Sequence, residues 1–281
     1  MTDTTPDYLL IGHISHDVTP NGPQLGGTVS FAAYTAISFG LQVGILTSAA
    51  PDEPLLRSLP PNVTVINVPS DHTTTFENRY TNGIRTQLLH HRAATLFPDF
   101  LPPTWRNARL VHLGPIAYEV DPTFMTAFEN CRVCVTPQGW MRRREPDNRV
   151  TADDWLAAEE VLSQAVLTVM SREDIRHDPN LEFVFARFAP VLVVTDGMHG
   201  GVVYRQGQPQ RFAAIEVEQL DPTGAGDVFA TALHIAWHQL GDLDRAVRVA
   251  ARLAGQSVCR VGFSSSPTPD EVTRAMNEVS S

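Results

Sequence analysis

Lysine is missing from the sequence altogether: all 21 basic side chains are arginine. That absence excludes several chemistries. A Walker A loop sets a lysine beside its phosphates, a protein kinase needs the lysine of its third strand, and Schiff-base or pyridoxal chemistry needs an amine. Any handling of phosphate must therefore use backbone amides, arginine or a metal. Cysteine is scarce, with only Cys131, Cys134 and Cys259, too few for a disulfide scaffold, so a reducing, cytoplasmic setting is expected. Cys131 and Cys134 form a CxxC without a second pair. Their place in a short apolar stretch favours a buried strand over zinc or redox work, and His13 and His16 are weaker still as a metal pair.

Positive charge is also in deficit, with 31 acidic against 21 basic residues and a formal net charge of −10. Nucleic acid and anionic membranes are thus poor partners. Met1 to Asp7 lack the basic start and apolar run of a secretion leader. The stretch from Val18 to Pro51 holds no charged residue, yet Gly22, Pro23, Gly26, Gly27, Gly40 and Gly44 divide it into loop, helix and strand, so no membrane span is read there.

What is present has an α/β rhythm. The 281 residues are 43% apolar, a length suited to one large α/β domain spanning 1–281. Tyr8–Ile11 reads as a first strand, Thr28–Phe39 as a helix opened by Gly26-Gly27, and Val43–Thr47 as a second strand, the order of a parallel crossover. Thr75–Thr81 and Ile84–Leu89 flank Asn82-Gly83, a type I′ turn signal, and read as a hairpin, either a flap off the main sheet or an ordinary edge. Further strands fall at Leu110–Leu113, Arg132–Thr136, Val166–Met170 and Val191–Thr195. A helix is expected from Thr151, where Thr-Ala-Asp-Asp supplies a cap and an acid three residues on. A second hairpin spans Gly201–Ala213, followed by helices at Ala225–Leu240 and Leu243–Val261.

The strongest chemical signal is Asp221-Pro222-Thr223-Gly224-Ala225-Gly226-Asp227, where a loop becomes a helix. Small residues let consecutive amides approach an anion, and the helix start adds partial positive charge. A carboxylate at Asp227 would repel that anion. Two readings stand: Asp227 favours the helix start as a cap, or it is a base that takes a proton from an alcohol while the amides stabilise a transferring phosphoryl group. Gln138, after a strand, lies where ligands of open α/β sheets bind. Arg142, Arg143 and Arg144 form either a solvated face or a screen for phosphates.

The Asp-Pro-Thr-Gly-Ala-Gly-Asp segment resembles the C-terminal signature of the ribokinase-like (PfkB) carbohydrate kinases. Leu25-Gly26-Gly27 resembles the family's first signature, and Val194-Thr195-Asp196-Gly197-Met198-His199-Gly200-Gly201 its nucleotide-side strand and turn, so the likeness runs from about Leu9 to Gly262. The resemblance implies a central, mostly parallel sheet between helices, with a small β lid from about 13–28 and 72–92. It implies ATP and Mg²⁺, a sugar or polyol acceptor, Asp227 as catalytic base and Gly224, Ala225 and Gly226 as anion hole. Thr195, Gly197, Gly200 and Ser171 would line the ATP site, and Asp17, with Gly26, Gly27 and Gln138, the acceptor site, although Asp17 also reads as a turn residue. Asp221 and Thr223 match positions that help bind a monovalent cation such as K⁺. Where many members carry Asn-x-x-Glu, this chain has Ser171-Arg172-Glu173-Asp174, leaving Asp174 and Glu173 as Mg²⁺ candidates and a helix cap at Ser171 as the plain alternative.

Gly12-His13-Ile14-Ser15-His16-Asp17-Val18 and Thr73-Thr74-Thr75-Phe76-Glu77 further resemble the myo-inositol kinase-like branch. A nucleoside kinase, with a base against Phe76, Tyr80 or Trp140, and a non-catalytic sugar or nucleotide sensor are the alternatives. The lid hairpin offers an edge for a homodimer.

Overall fold

The computed structural model describes residues 4–81, 84–176 and 178–279. The chain opens with β1 (Tyr8–Ile11), then β2 (Ser15–Thr19) and β3 (Gly22–Gly26), helix α1 (Thr28–Ser38), β4 (Val43–Ala49) and β5 (Val63–Pro69). Next come the hairpin strands β6 (Thr75–Thr81) and β7 (Ile84–His91), then β8 (Leu110–Leu113), β9 (Arg132–Val135), and the short ribbon β10 (Arg142–Arg144) and β11 (Val150–Ala152). Helix α2 (Ala158–Gln164), β12 (Leu167–Ser171), α3 (Pro179–Phe188), β13 (Val191–Thr195), β14 (Gly201–Arg205) and β15 (Gln208–Phe212) follow. Helices α4 (Ala225–Leu240), α5 (Leu243–Ser257) and α6 (Pro269–Glu278) close the chain.

Two sheets result. The larger has nine strands in the order β15-β14-β13-β12-β9-β8-β1-β4-β5. Every pairing from β5 to β13 is parallel, and only β14 and β15 run antiparallel at one edge. Its strands are apolar on both faces, as burial between two helical layers requires. Leu9 and Ile11 pack with Trp105, Trp140, α2 and α3, while Tyr8 and Leu10 turn to the other face beneath α1. Cys134 likewise points from β9 into the α4 and α5 layer, and burial pushes its thiol pKa upward. The helices start where their caps allow. Asp178 accepts from two amides ahead of Pro179 in α3, and Thr268 with Glu271 forms a capping box ahead of α6.

The smaller sheet has four strands in the order β3-β2-β6-β7. It is tied to the larger one by His13, whose Nδ1 meets Thr74 Oγ1 at 2.7 Å and Nε2 meets the Ala94 carbonyl at 2.8 Å. The buried Glu119 carboxylate accepts from the amides of His13, Ile116 and Ala117. The Asn82-Gly83 turn signal lies outside the described residues.

One element differs from expectation. No helix starts at Thr151; Val150–Ala152 is β11, antiparallel to Arg142–Arg144, and the helix begins only at Ala158. The Thr151 hydroxyl bonds Glu145 at 2.6 Å rather than capping a helix. A side chain that can cap a helix can equally satisfy a neighbouring strand, and tertiary pairing decides between them. The last long helix also stops early, at Ser257. Among the described residues no helix is long and apolar enough to cross a membrane.

Candidate active site

Strands β1, β8, β9, β12 and β13 end on the same side of the large sheet, and a cleft of about 530 Å³ lies between those ends and the small sheet. The two glycine motifs of the sequence, nearly the whole chain apart, meet in it. Gly27 has φ +91° and a Cβ there would fall 2.5 Å from the His13 carbonyl oxygen; Gly224 has φ +79° and a Cβ would fall 2.3 Å from Cδ1 of Phe31. Glycine is therefore required at both turns, and the contact seats the start of α4 against the first turn of α1. Two helix N-termini, with amides lacking intrahelical acceptors, converge on one cleft.

Asp227 stands in the first turn of α4 and lines this cleft. The helix is capped by Gly224 without any side-chain bond, so Asp227 is not its cap, although a carboxylate in the first turn still favours the helix start. Burial pushes its carboxyl up to about 6; the neighbouring Asp174 carboxylate acts in the same direction, against a hydrogen bond from Thr28 and the Arg142 guanidinium. A carboxyl near 6 can accept a proton and release it close to neutral pH.

Across the cleft, Asp17 on β2 accepts from Ser15 Oγ at 2.7 Å, and burial raises its pKa as well. Gly26 does not line the cleft but makes room for Asp17: a Cβ there would lie 2.3 Å from Asp17 Oδ2. The small sheet adds Phe76, Asn78, Arg85 and Gln87, where Asn78 Oδ1 accepts from Arg85 Nε at 2.9 Å and Gln87 Nε2 at 3.2 Å. Sequence reading passed over the last three. Their signal was period-two alternation, since Asn78 shares a face with Phe76 on one strand, and its partner Gln87 shares a face with Arg85 on the other.

At the end of β12, Ser171 and Asp174 bond reciprocally: the Ser171 amide donates to Asp174 Oδ2 at 2.8 Å, and the Asp174 amide to Ser171 Oγ at 3.1 Å. Both line the cleft, together with Glu173. The helix-cap alternative for Ser171 does not hold, because the following residues form turns rather than a helix and the next helix is capped by Asp178; the Ser171–Asp174 bonds close a turn instead. Asp174 Oδ1 accepts from Gln138 Nε2 at 3.1 Å and lies 3.8 Å from the Arg142 guanidinium. Arg142 also donates to Gln87 at 3.2 Å. The three arginines therefore part company: Arg142 turns inward, whereas the side chain of Arg143 stays largely in solvent. Thr136, also in the lining, is held at 3.0 Å by His112, which burial drives to about 3 and so keeps neutral.

Thr195, Asp221 and Thr223 line the cleft; Gly197, Gly200 and Ala225 do not. Gly200 answers a packing need, since its φ is +79° and a Cβ would meet the Phe212 carbonyl oxygen at 2.1 Å. The Ala225 amide is turned to the Pro222 carbonyl at 3.2 Å. Asp221 organises the loop, accepting from the Thr223 amide at 2.9 Å and the Gly262 amide at 3.4 Å. Trp140 is fully buried, stacked on Trp155 with its indole N–H on the Val120 carbonyl, so it cannot receive a base. The Tyr80 side chain lies outside the described ones.

The α/β fold thus sets two helix N-termini and a raised carboxyl along one cleft, in a chain without lysine. Comparison with known proteins makes the class specific. Residues 176–271 match the model of the pfkB family carbohydrate kinases. That segment is thus similar to the PfkB-family carbohydrate kinases, and the chain as a whole has a ribokinase-like fold, consistent with a carbohydrate kinase. It is 22% identical to a cytidine kinase of Thermococcus kodakarensis, over 91% of this chain and 97% of that one. A pyrophosphate-dependent kinase in the ribokinase family, solved with a pyrophosphate analogue and myo-inositol, superposes with a TM-score of 0.79 at 21% identity, over 95% and 99% of the two chains. Ribokinase from Thermotoga maritima gives 0.74 at 20% identity, over 96% and 99%.

Proposed function

We propose that the protein transfers a phosphoryl group from ATP to a hydroxyl of a small sugar or polyol, of the myo-inositol or furanose kind. The observation that carries this reading is the Asp227 carboxyl, pushed up to about 6 in a cleft that the glycines of the α4 start also line. Asp227 takes the proton from the acceptor hydroxyl as its oxygen bonds the γ-phosphorus. The bond from that phosphorus to the bridging oxygen breaks and ADP leaves. Gly224 and Gly226 present their amides to the developing charge, whereas the Ala225 amide is held by the Pro222 carbonyl and serves the turn itself, and Asp17 accepts hydrogen bonds from other acceptor hydroxyls. Ser171 and Thr195 flank the donor phosphates, with Gly197 and Gly200 shaping the turn beyond them. The four-stranded sheet acts as the lid of a single domain.

Mg²⁺ ordinarily takes one or two protein carboxylates, with phosphate oxygens and water filling the rest. Asp174 and Glu173 fit that sparse donor set, and among the described residues no group of three or more His, Cys, Asp or Glu could form an all-protein cage. When bound, the ion would neutralise the donor phosphates. Asp221 and Thr223 are the residues that would hold a monovalent cation such as K⁺.

A nucleoside acceptor is the second reading, favoured by the apolar Phe76 and Ile116 in the cleft wall. The deciding experiment is a coupled ADP-release assay with Mg²⁺-ATP against inositols, ribose, fructose, hexose phosphates and nucleosides, with pyrophosphate as an alternative donor and Asp227→Asn as control. One strong acceptor whose turnover vanishes in the variant is expected. Full activity of Asp227→Asn overturns the base assignment.

A further inference from the structure

Beside the cleft lies a second cavity of about 430 Å³ that shares Phe76, Ile116 and Arg142 with it. Its floor is a small apolar cluster of Phe76, Leu89, Ile116 and Ala117, separate from the main cores. Its other lining groups include four arginines, 92 and 142 to 144, against a single carboxylate, Asp153. In a chain of net charge −10, such a grouping is not a by-product of general basicity.

The four guanidiniums differ in how their charge is met. Arg143 is committed to Glu145 at 2.8 Å and Asp153 at 3.5 Å, and Arg142 lies 3.8 Å from Asp174. Arg92 and Arg144 meet neutral oxygens instead. Arg92 donates to the carbonyls of Ala117 and Tyr118 at 2.8 and 2.6 Å and to Thr95 Oγ1 at 2.9 Å. Arg144 donates to the His90 carbonyl at 2.8 Å and to Asn148 Oδ1. Among the described residues the ion pairs within 4.0 Å include neither. The carboxylate nearest to Arg92 in effect, Glu119, already accepts from three amides. Two solvent-exposed cations, oriented by neutral oxygens and without a carboxylate within 4.0 Å among the described residues, therefore line a cavity with an apolar floor, an arrangement that an entering oxyanion completes.

Because the cavity adjoins the cleft along Phe76, Ile116 and Arg142, a group that fills it can belong to the same molecule as the acceptor hydroxyl. Resting on the kinase reading above, we infer that this cavity is a subsite for an oxyanion carried by the acceptor, remote from the hydroxyl that is phosphorylated. The acceptor is then an anionic sugar or polyol, a phosphate monoester or a carboxylate. Asp17 reads its hydroxyls, and the Arg92, Arg142 and Arg144 side reads its charge.

The test compares matched acceptors, ribose with ribose 5-phosphate and with ribonate, and myo-inositol with its monophosphate, in the ADP-release assay. Wild type is expected to favour a charged acceptor at least ~10-fold in kcat/KM, the scale of one charge-assisted hydrogen bond. That ratio should fall toward one in Arg144→Gln and in Ala117→Phe, which fills the cavity without touching a charge. The better of the phosphate and the carboxylate identifies the anion. Equal or better use of neutral acceptors by wild type, or an unchanged ratio in Ala117→Phe, overturns the subsite. If no acceptor is turned over, the kinase reading fails by itself. Calorimetric titration of the same protein with ribose 5-phosphate, ribonate and ribose then decides the subsite: binding of either anion ~10-fold tighter than ribose supports it, and equal binding refutes it.

Discussion

The nine-stranded and four-stranded sheets use different interactions. The large sheet is sealed between helices, with Tyr8, Leu9, Leu10 and Ile11 of β1 all at 0% exposure. The small sheet has one face on the cleft and one in water. Its outer face is held by charge, where Glu77 accepts from Arg79 at 2.7 Å and His90 at 2.8 Å, and these partners hold the Glu77 carboxyl down at about 2. Exposed pairs of this kind contribute little to stability. The difference teaches a division of labour, in which the large sheet and its packed helices supply stability and seat α4 with Asp227, while the small sheet adds polar side chains to the cleft wall.

That division can be broken or sharpened by substitution. The largest effect belongs to Asp227→Asn, expected to cut kcat by at least ~10³-fold while ATP binding, measured by titration, persists. Next is Leu113→Ala on β8, which should cost ~2–5 kcal/mol in urea denaturation; a comparable loss from Asn78→Ala in the small sheet would contradict the division, because that change should act on KM. Gly224→Ala forces a side chain onto Phe31 at positive φ. It should cost ~1–3 kcal/mol in urea denaturation and most turnover in the coupled assay.

Acidity gives a smaller, graded test. With Asp227 as base and its carboxyl near 6, kcat/KM should rise ~10-fold per pH unit up to that value and then level. The same shift works in the opposite direction on stability. A folded pKa above the unfolded one means that the native state binds the extra proton, so this contribution is present at low pH and lost as pH rises through about 6. Asp227→Asn should therefore raise the thermal midpoint by a few degrees at pH 8, and by less at pH 4. The smallest effect is expected from Glu77→Gln, which should leave the thermal midpoint unchanged within error.

Much of the active region was legible because its determinants are local. The Gly224 turn and Asp227 sit in one seven-residue segment whose backbone demands can be met only by small residues, and the strands of the large sheet declare themselves as continuous apolar runs. Arg142 was not legible. Three consecutive arginines look alike in sequence, and only the pairing of 142–144 with 150–152 turns one of them inward. The same pairing took Thr151 out of the helix that its neighbours favoured. Trp140, a plausible stacking partner by composition, is sealed in the core by Trp155 and the Val120 carbonyl.

The sequence by itself determined the α/β class, the catalytic-type loop and the exclusion of every lysine-based mechanism, since these depend on periodicity, on glycine's conformational freedom and on a plain absence. Only the tertiary structure decided that Thr28 and Phe31 meet Asp227 and Gly224, that Asp174 is shared among Ser171, Gln138 and Arg142, and that two arginines without carboxylate partners face an apolar cavity. Those relations join side chains from distant segments, and burial and charge acquire their values only once the chain has folded around them.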